Sequence, residues 1–311
     1  MPSPLVFPRS VRSHVALLAL LVPLTTLALP RVSRAQGPRP AAELVVTTEW
    51  LARRAGDPTI VLLEVVDERH DDARIPGTRL MPYNTFTMRR GTLSTELPDP
   101  AELRAVFEAL GVTDESHVVV YAEEGPMATR ALYSLVWLGH PRVSLLDGGF
   151  PKWQREGRPT APAAGPTGSV RPARLSTRAS ADVRVDSDWL RARVGTPGLA
   201  LIDTRTDGEY LGTGNRSGMP STGHLQGARQ LEWEELFADS AVTLRPRAEL
   251  ARLFAERTAP GDTVVTYCWI GYRASATWFV ARWLGYDARL YDGSYQDWSQ
   301  RTLPTKGGAI P

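Results

Sequence analysis

Apolar positions in this chain gather in short, nearly unbroken runs. Val118-Val119-Val120-Tyr121-Ala122, Leu199-Ala200-Leu201-Ile202, Thr263-Val264-Val265-Thr266-Tyr267 and Ala288-Arg289-Leu290-Tyr291 are each four or five residues long. Runs this short without strict alternation predict strands buried on both faces, as in a parallel sheet. Between them, Ala248 to Ala255 and Ser275 to Leu284 carry apolar residues at helical spacing, and such helices supply the cover a two-faced sheet needs. The pattern predicts an α/β chain with central parallel sheets flanked by helices.

The same pattern occurs twice. Val118 to Ala122 lies over Val264 to Cys268, and Trp137-Leu138-Gly139-His140 lies over Trp283-Leu284-Gly285-Tyr286, both at a spacing of 146 residues. After a one-residue shift, Leu146-Asp147-Gly148-Gly149-Phe150 with Trp153 matches Tyr291-Asp292-Gly293-Ser294-Tyr295 with Trp298. Ordered matches of this kind are the mark of a tandem duplication, which sets the architecture. The stretch from Arg155 to Ala181 is rich in Pro, Ala, Gly, Thr and Ser and has no apolar period, so it reads as a linker or as a segment wrapped over one domain. The expected boundaries are 42–160 for the first domain, 161–181 for the linker and 182–305 for the second.

Ahead of these lies Arg9 and Arg12, the uncharged stretch Val15 to Leu29, and Ser33-Arg34-Ala35. A basic start, an apolar core and small residues form a signal-peptide pattern over residues 1–35. The alternative is a short membrane anchor, but the stretch is 15 residues long and contains Pro23, whereas a spanning helix needs about 20. The expectation is export, to a periplasm or beyond. Removing the four arginines of residues 1–35 from 36 basic residues leaves 32 against 34 acidic ones. No basic run remains to suggest nucleic-acid binding, and no second long apolar stretch suggests membrane insertion. The remaining chain is comfortable for two domains with their own internal interface and is compatible with a monomer.

Cys268 is the only cysteine, so it has no disulfide partner within its own chain. It stands where the Thr263–Tyr267 run ends, and Cys268-Trp269-Ile270-Gly271-Tyr272-Arg273 leads into the helix expected from about Ala274. In a parallel sheet the functional face lies at the carboxyl ends of the strands. Backbone N–H groups of a tight loop and of a helix start favour a thiolate there, and Arg273 adds a full positive charge. Gly271 supplies the backbone freedom that a ring of converging N–H groups needs. An isolated free cysteine is most often a small buried apolar residue; strand, thiol, glycine, arginine and helix together favour a nucleophile. Five histidines, at 14, 70, 117, 140 and 224, form no metal-ligand spacing, and His224 reads as a turn-stabilising side chain, since an ionised thiol needs no base.

Two chemistries use a cradled thiolate. A phosphatase or arsenate reductase on a related scaffold wraps a phosphate-sized anion and closes its loop with an arginine six positions after the cysteine. Here that position is Ala274, and Arg273 comes one residue earlier. The shorter loop favours transfer of a single sulfur atom through a persulfide.

Tyr267 to Trp278, with Asp203-Thr204-Arg205, Glu209-Tyr210, Gly223 to Ala228 and Tyr291 to Trp298, resembles the tandem-domain rhodanese family, the thiosulfate sulfurtransferases and their 3-mercaptopyruvate relatives. The resemblance implies two rhodanese-like domains of which only the second is catalytic. Ala122, followed by Glu123 and Glu124, occupies the place of the nucleophile in the first copy. It also implies a double displacement without metal or organic cofactor: Cys268 takes a sulfur from a small anionic donor, sulfite leaves, and the persulfide passes its sulfur to cyanide or another thiophile. Arg273, Trp269, Ile270, Gly271 and Tyr272 are then the substrate-binding loop; Arg216, in the Gly-rich insert Gly212 to Gly218, reads either as a second anion clamp or as a solvated loop arginine. Asp203, Arg205 and Glu209 are expected to support the strand end beneath it. Ile270 stands where some members carry a thiosulfate-binding Lys and mercaptopyruvate enzymes a Ser, and Glu209 where certain vertebrate members place an Arg. A non-catalytic persulfide carrier is the remaining alternative.

Overall fold

The computed structural model describes, beyond Met1 and Ser3, residues 44–67, 73–162, 173–176, 178–214, 222–239 and 242–307. The expected signal peptide and Arg216 lie outside them. Among the described residues no helix is long and apolar enough to cross a membrane.

Two five-stranded sheets, parallel throughout, form the frame. The first is ordered Val45–Val46, Val143–Leu146, His117–Ala122, Ile60–Val66, Arg79–Pro82. The second is ordered Arg184–Val185, Asp287–Tyr291, Thr263–Tyr267, Leu199–Asp203, Arg229–Gln230. The order is the same in each, as the duplication requires, and even the entry turns repeat. Thr47 accepts the N–H of Trp50 at 3.0 Å and Asp186 that of Trp189 at 2.8 Å, each capping a short helix. The apolar runs foreshadow the strands closely. Leu199–Ile202 extends to Asp203 and Ala288–Tyr291 begins at Asp287, because a strand end can carry a polar residue where the sheet meets its loops.

The helices Gly125–Trp137 and Ala274–Leu284 pack between the sheets. They join residues of both sheets into one apolar cluster that includes Val118, Leu132, Leu135, Ile202, Val264, Phe279 and Leu290. Separate clusters cover the outer faces, around Val119, Tyr121 and Phe150 on one sheet and Leu201, Val265 and Tyr291 on the other. A fully buried aliphatic or Phe side chain contributes roughly 1.5–3 kcal/mol, so apolar burial holds the two halves together and the polar contacts set their register. Thr129 Oγ1 and Ser275 Oγ meet at 2.9 Å across 146 residues of sequence. That is the repeat spacing: a residue touches its own duplicate. The Asp-Gly corners cross over in the same way. Asp147 Oδ1 accepts the N–H of Leu244 in the second half at 2.9 Å, while Asp292 pairs with Arg130 of the first at 2.5 Å.

The described parts of the connecting segment lie on the first half. Ala161–Pro162 pairs with Ala73–Arg74, Leu175 donates its N–H to Glu108, and Ser176 bonds Asp114.

Candidate active site

Cys268 follows the central strand of the second sheet and is fully buried. Its loop is tied back on three sides. The carbonyls of Cys268 and Trp269 accept the N–H groups of Tyr295 and Gln296 at 3.0 and 2.9 Å. The carbonyl of Ile270 accepts the hydroxyl of Thr95, which belongs to the hairpin Met88–Arg90/Leu93–Glu96 of the first half. In a trans peptide the next N–H points opposite to the carbonyl, so anchoring these oxygens aims successive N–H groups the other way. Among the described residues the N–H groups of Ile270 through Arg273 find no acceptor. They are unengaged donors beside a sulfur, which is a setting for an anion.

Gly271 has φ +78°, a region that costs other residues about 1–2 kcal/mol. A Cβ there would stand 2.7 Å from the Asp292 carbonyl oxygen and 3.1 Å from its Oδ1. The glycine is therefore required twice, by conformation and by the approach of the second Asp-Gly corner.

Arg273 donates to both oxygens of Glu209, at 2.8 and 3.0 Å. Glu209 closes a capping box with Thr206 at the start of the helix Asp207–Leu211. Burial pushes the Glu209 carboxyl up, but the Arg273 guanidinium beside it outweighs that and holds it below the ordinary range. Burial works against the Arg273 charge, and Glu209 with Cys268 keeps it in place. Arg273 is thus half of an ion pair rather than a bare cation. Asp203 and Arg205 form a second pair, fully buried, with Arg205 Nη2 at 2.6 Å from Asp203 Oδ2 and 2.8 Å from the Gly223 carbonyl. Arg205 lies 3.9 Å over the ring of Tyr295, the residue that holds the Cys268 carbonyl. Trp269 is tilted against the same ring, at 5.9 Å between centroids. Tyr272 crosses to the first half, where its hydroxyl donates to Glu124 at 3.0 Å. His224 is buried away from this chemistry, stacked on Tyr210 with Nδ1 2.9 Å from that residue's carbonyl. No metal-binding cluster occurs among the described residues.

Three contributors escaped the sequence reading. Ser294 receives the N–H of Cys268 at 3.2 Å and donates to the Tyr291 carbonyl at 2.8 Å. It does so with φ +51°, whereas its counterpart Gly149 adopts φ +49°; the second copy keeps a strained serine where the first has glycine, and that substitution within the repeat was the available signal. Arg130 is fully buried against Asp292, and its signal was a lone charge in an otherwise apolar and hydroxyl-bearing helix. Thr95 had none, since it reaches the loop only through the hairpin.

The Rhodanese-like domain family profile matches residues 47–156 and 186–301. A thiosulfate sulfurtransferase of Pseudomonas aeruginosa is 32% identical over 82% of this chain and 93% of its own length. A probable 3-mercaptopyruvate sulfurtransferase of the same organism is also 32% identical, over 82% of this chain and 94% of its own. The solved structure of YnjE superposes with a TM-score of 0.76 at 22% identity, covering 89% of this chain and 71% of that one.

Proposed function

We propose, for a chain that belongs to the rhodanese-like domain family and is a sulfurtransferase, that the reaction is thiosulfate:cyanide sulfur transfer by double displacement through a Cys268 persulfide. The observation that carries this reading is the six-residue loop itself. Arg273 is its last residue and Ala274 already begins the helix, so the unengaged N–H groups of Ile270 to Arg273 surround a space suited to one sulfur rather than a phosphate. The Cys268 thiolate attacks the outer sulfur of thiosulfate, a new S–S bond forms, the old one breaks, and sulfite leaves with the bonding pair. The negative charge then rests on the transferred sulfur, where the loop N–H groups stabilise it as an oxyanion hole stabilises oxygen. Attack by cyanide on that sulfur returns the thiolate and releases thiocyanate. Arg273, Trp269, Ile270, Gly271 and Tyr272 line the binding loop, and Arg216 supplies a second positive charge for the donor. 3-Mercaptopyruvate is the second donor reading, supported by the equal identity to a relative of that name. Export of the chain rests on the pattern of residues 1–35.

The test is thiocyanate formation with thiosulfate and with 3-mercaptopyruvate, run beside Cys268→Ser. Turnover with thiosulfate that vanishes in the variant is expected. Failure of both donors, or activity that survives Cys268→Ser, refutes the proposal.

A further inference from the structure

Each half of the molecule sends an arm onto the other. In the first half it is the hairpin Met88–Arg90/Leu93–Glu96, which runs on into the helix Pro100–Ala109; in the second it is the stretch closed by the Phe237–Leu244 bridge, which runs on into the helix Arg247–Ala255. The arms share a register. Leu97 with Ala101-Glu102-Leu103 lies over Leu244 with Ala248-Glu249-Leu250 at a spacing of 147 residues, which sets Thr95 opposite Val242. That exchange means nothing until the contacts are seen. Val242 packs on the Asp-Gly corner of the first half: its carbonyl receives the N–H of Gly148 at 3.3 Å, and its Cγ1 stands 3.1 Å from where a Cβ at Gly149 would lie. Thr95 reaches the thiol loop instead, and its hydroxyl donates to the Ile270 carbonyl. The carbonyls differ to match. Glu124, the counterpart of Ile270, has its carbonyl taken up by the N–H groups of Met127 and Ala128 at 3.1 and 3.3 Å, because the first-half helix starts at once with Gly125. The second-half helix starts later, at Ala274, and among the described residues the donor to the Ile270 carbonyl is Thr95. A hydroxyl on the arm and a carbonyl to receive it occur together in one copy and are missing together from the other.

Resting on the sulfurtransferase reading of the loop, we propose that Thr95, from the half without a thiol, is a positioning residue for sulfur transfer: its hydroxyl sets the plane of the Ile270–Gly271 peptide and so holds the Gly271 N–H in the sulfur site. The carbonyls of Cys268 and Trp269 are tied by main-chain donors of their own half. That of Ile270 is tied from the other half, by a side chain. Because the N–H of a trans peptide points opposite to its carbonyl, a fixed oxygen is a fixed donor. The restraint falls where it is most needed, since a glycine limits its own backbone least. Thr95 is itself held in place. The Arg130 guanidinium, fully buried against Asp292, donates to the Thr95 main-chain carbonyl. Ser94 donates its N–H to the Gln296 side chain at 3.0 Å, while the N–H of Gln296 holds the Trp269 carbonyl at 2.9 Å. Hairpin and loop are thus fastened to the same residue, and Thr95 meets Ile270 in a fixed geometry. Thr95 acts through the peptide and not on the sulfur: a donor set in advance needs no reorganisation when negative charge arrives there.

The experiment compares wild type with Thr95→Val, which keeps the shape and copies the residue of the other arm, and with Thr95→Ser, which restores a hydroxyl. Two quantities are read. One is the ultraviolet absorbance of the thiolate against pH, with Cys268→Ser as the blank; it needs no sulfur donor and belongs to the only cysteine in the chain. The other is the single-turnover rate of persulfide formation from thiosulfate, followed by intact mass. In Thr95→Val the thiolate midpoint should move to higher pH and loading should slow about fivefold, as for the loss of one hydrogen bond, and Thr95→Ser should lie close to wild type in both. Wild-type titration and loading in Thr95→Val, whatever its thermal unfolding midpoint, make the contact structural alone and overturn the proposal while leaving the sulfurtransferase reading intact. Equal impairment of the valine and serine variants also overturns it, since the hydroxyl is then not responsible. A displaced titration that serine restores, in a protein that thiosulfate never loads, supports the role of Thr95 and overturns the donor assignment instead.

Discussion

Gly271→Ala puts the strictest demand on the account of the loop. Two costs are separable. At φ +78° an alanine pays about 1–2 kcal/mol for left-handed backbone. Its Cβ also falls 2.7 Å from the Asp292 carbonyl oxygen, 3.1 Å from Asp292 Oδ1 and 3.4 Å from Arg130 Nη1, an overpacking that costs about 1–3 kcal/mol. Lower entropy of the unfolded chain returns under about 1 kcal/mol. The neighbour has little room to yield, because Asp292 is pinned by Arg130 at 2.5 Å and by Arg184 at 3.3 Å. The loop must therefore move, and with it the N–H groups of the sulfur site. Gly261→Ala is the control: its φ is +84° but nothing lies within 4 Å of the added carbon, so it reports the backbone cost alone. Urea denaturation followed by tryptophan fluorescence should show Gly271→Ala destabilised by about 2–4 kcal/mol and more than Gly261→Ala. Single-turnover loading with thiosulfate should fall about a hundredfold only in Gly271→Ala. Equal stability losses in the two variants, with wild-type loading in both, would falsify the packing argument.

Two other predictions concern the charged contacts between the halves. Arg130→Met strands the Asp292 carboxylate, 1% exposed, with Arg184 as its remaining partner; urea denaturation should show a loss of about 3 kcal/mol, the low end for breaking a buried pair, and adding Asp292→Asn should recover part of it, whereas strictly additive losses count against direct pairing. Glu96, paired with Arg184 at 2.7 Å, has its carboxyl pushed up from 4.5 to about 7, by burial first and then by Asp292, against Arg184 and Arg130. A carboxyl raised on folding binds its proton more tightly in the native state, so stability should fall as pH rises from about 4.5 to about 7, by up to about 3 kcal/mol. Denaturation midpoints at pH 5 and pH 8 should show a smaller decline in Glu96→Gln than in wild type, and an identical decline refutes the assignment.

How far the sequence announces this structure depends on whether a feature is local. The strands beneath the thiol, the helix after it and the repeat were legible because each is written in adjacent apolar residues, and Thr263–Tyr267 agrees end to end with the observed strand. The partners of Arg273, Gly271 and Tyr272 were not, since Glu209 lies 64 residues from Arg273 and Glu124 lies 148 from Tyr272. Arg273 reads from sequence as a bare positive charge; in the fold it is a neutralised pair, which no spacing rule reveals. Ser294 and Arg130 sit between these extremes. Each breaks a pattern the sequence sets up, a serine opposite a glycine and a charge on an apolar face, and each break marks a contact at the site, that of Ser294 with Cys268 within the second half and that of Arg130 with Asp292 across the repeat.

The hydroxyl pair Thr129 and Ser275 has a geometric meaning of its own. A residue meets its own image only where it lies close to the axis that relates the copies, so the two helices there preserve a self-complementary contact of the type that joins identical subunits. In this chain the partner is delivered covalently, which replaces a concentration-dependent encounter by an intramolecular one. Freed from identity, the two images could diverge: one carries Ala122 where the other has its thiol, while its Thr95, Glu124 and Arg130 hold the loop and the Asp-Gly corner of the other. A pairing of equals became a division of labour, with the hydroxyl contact left as the record of where the axis stood.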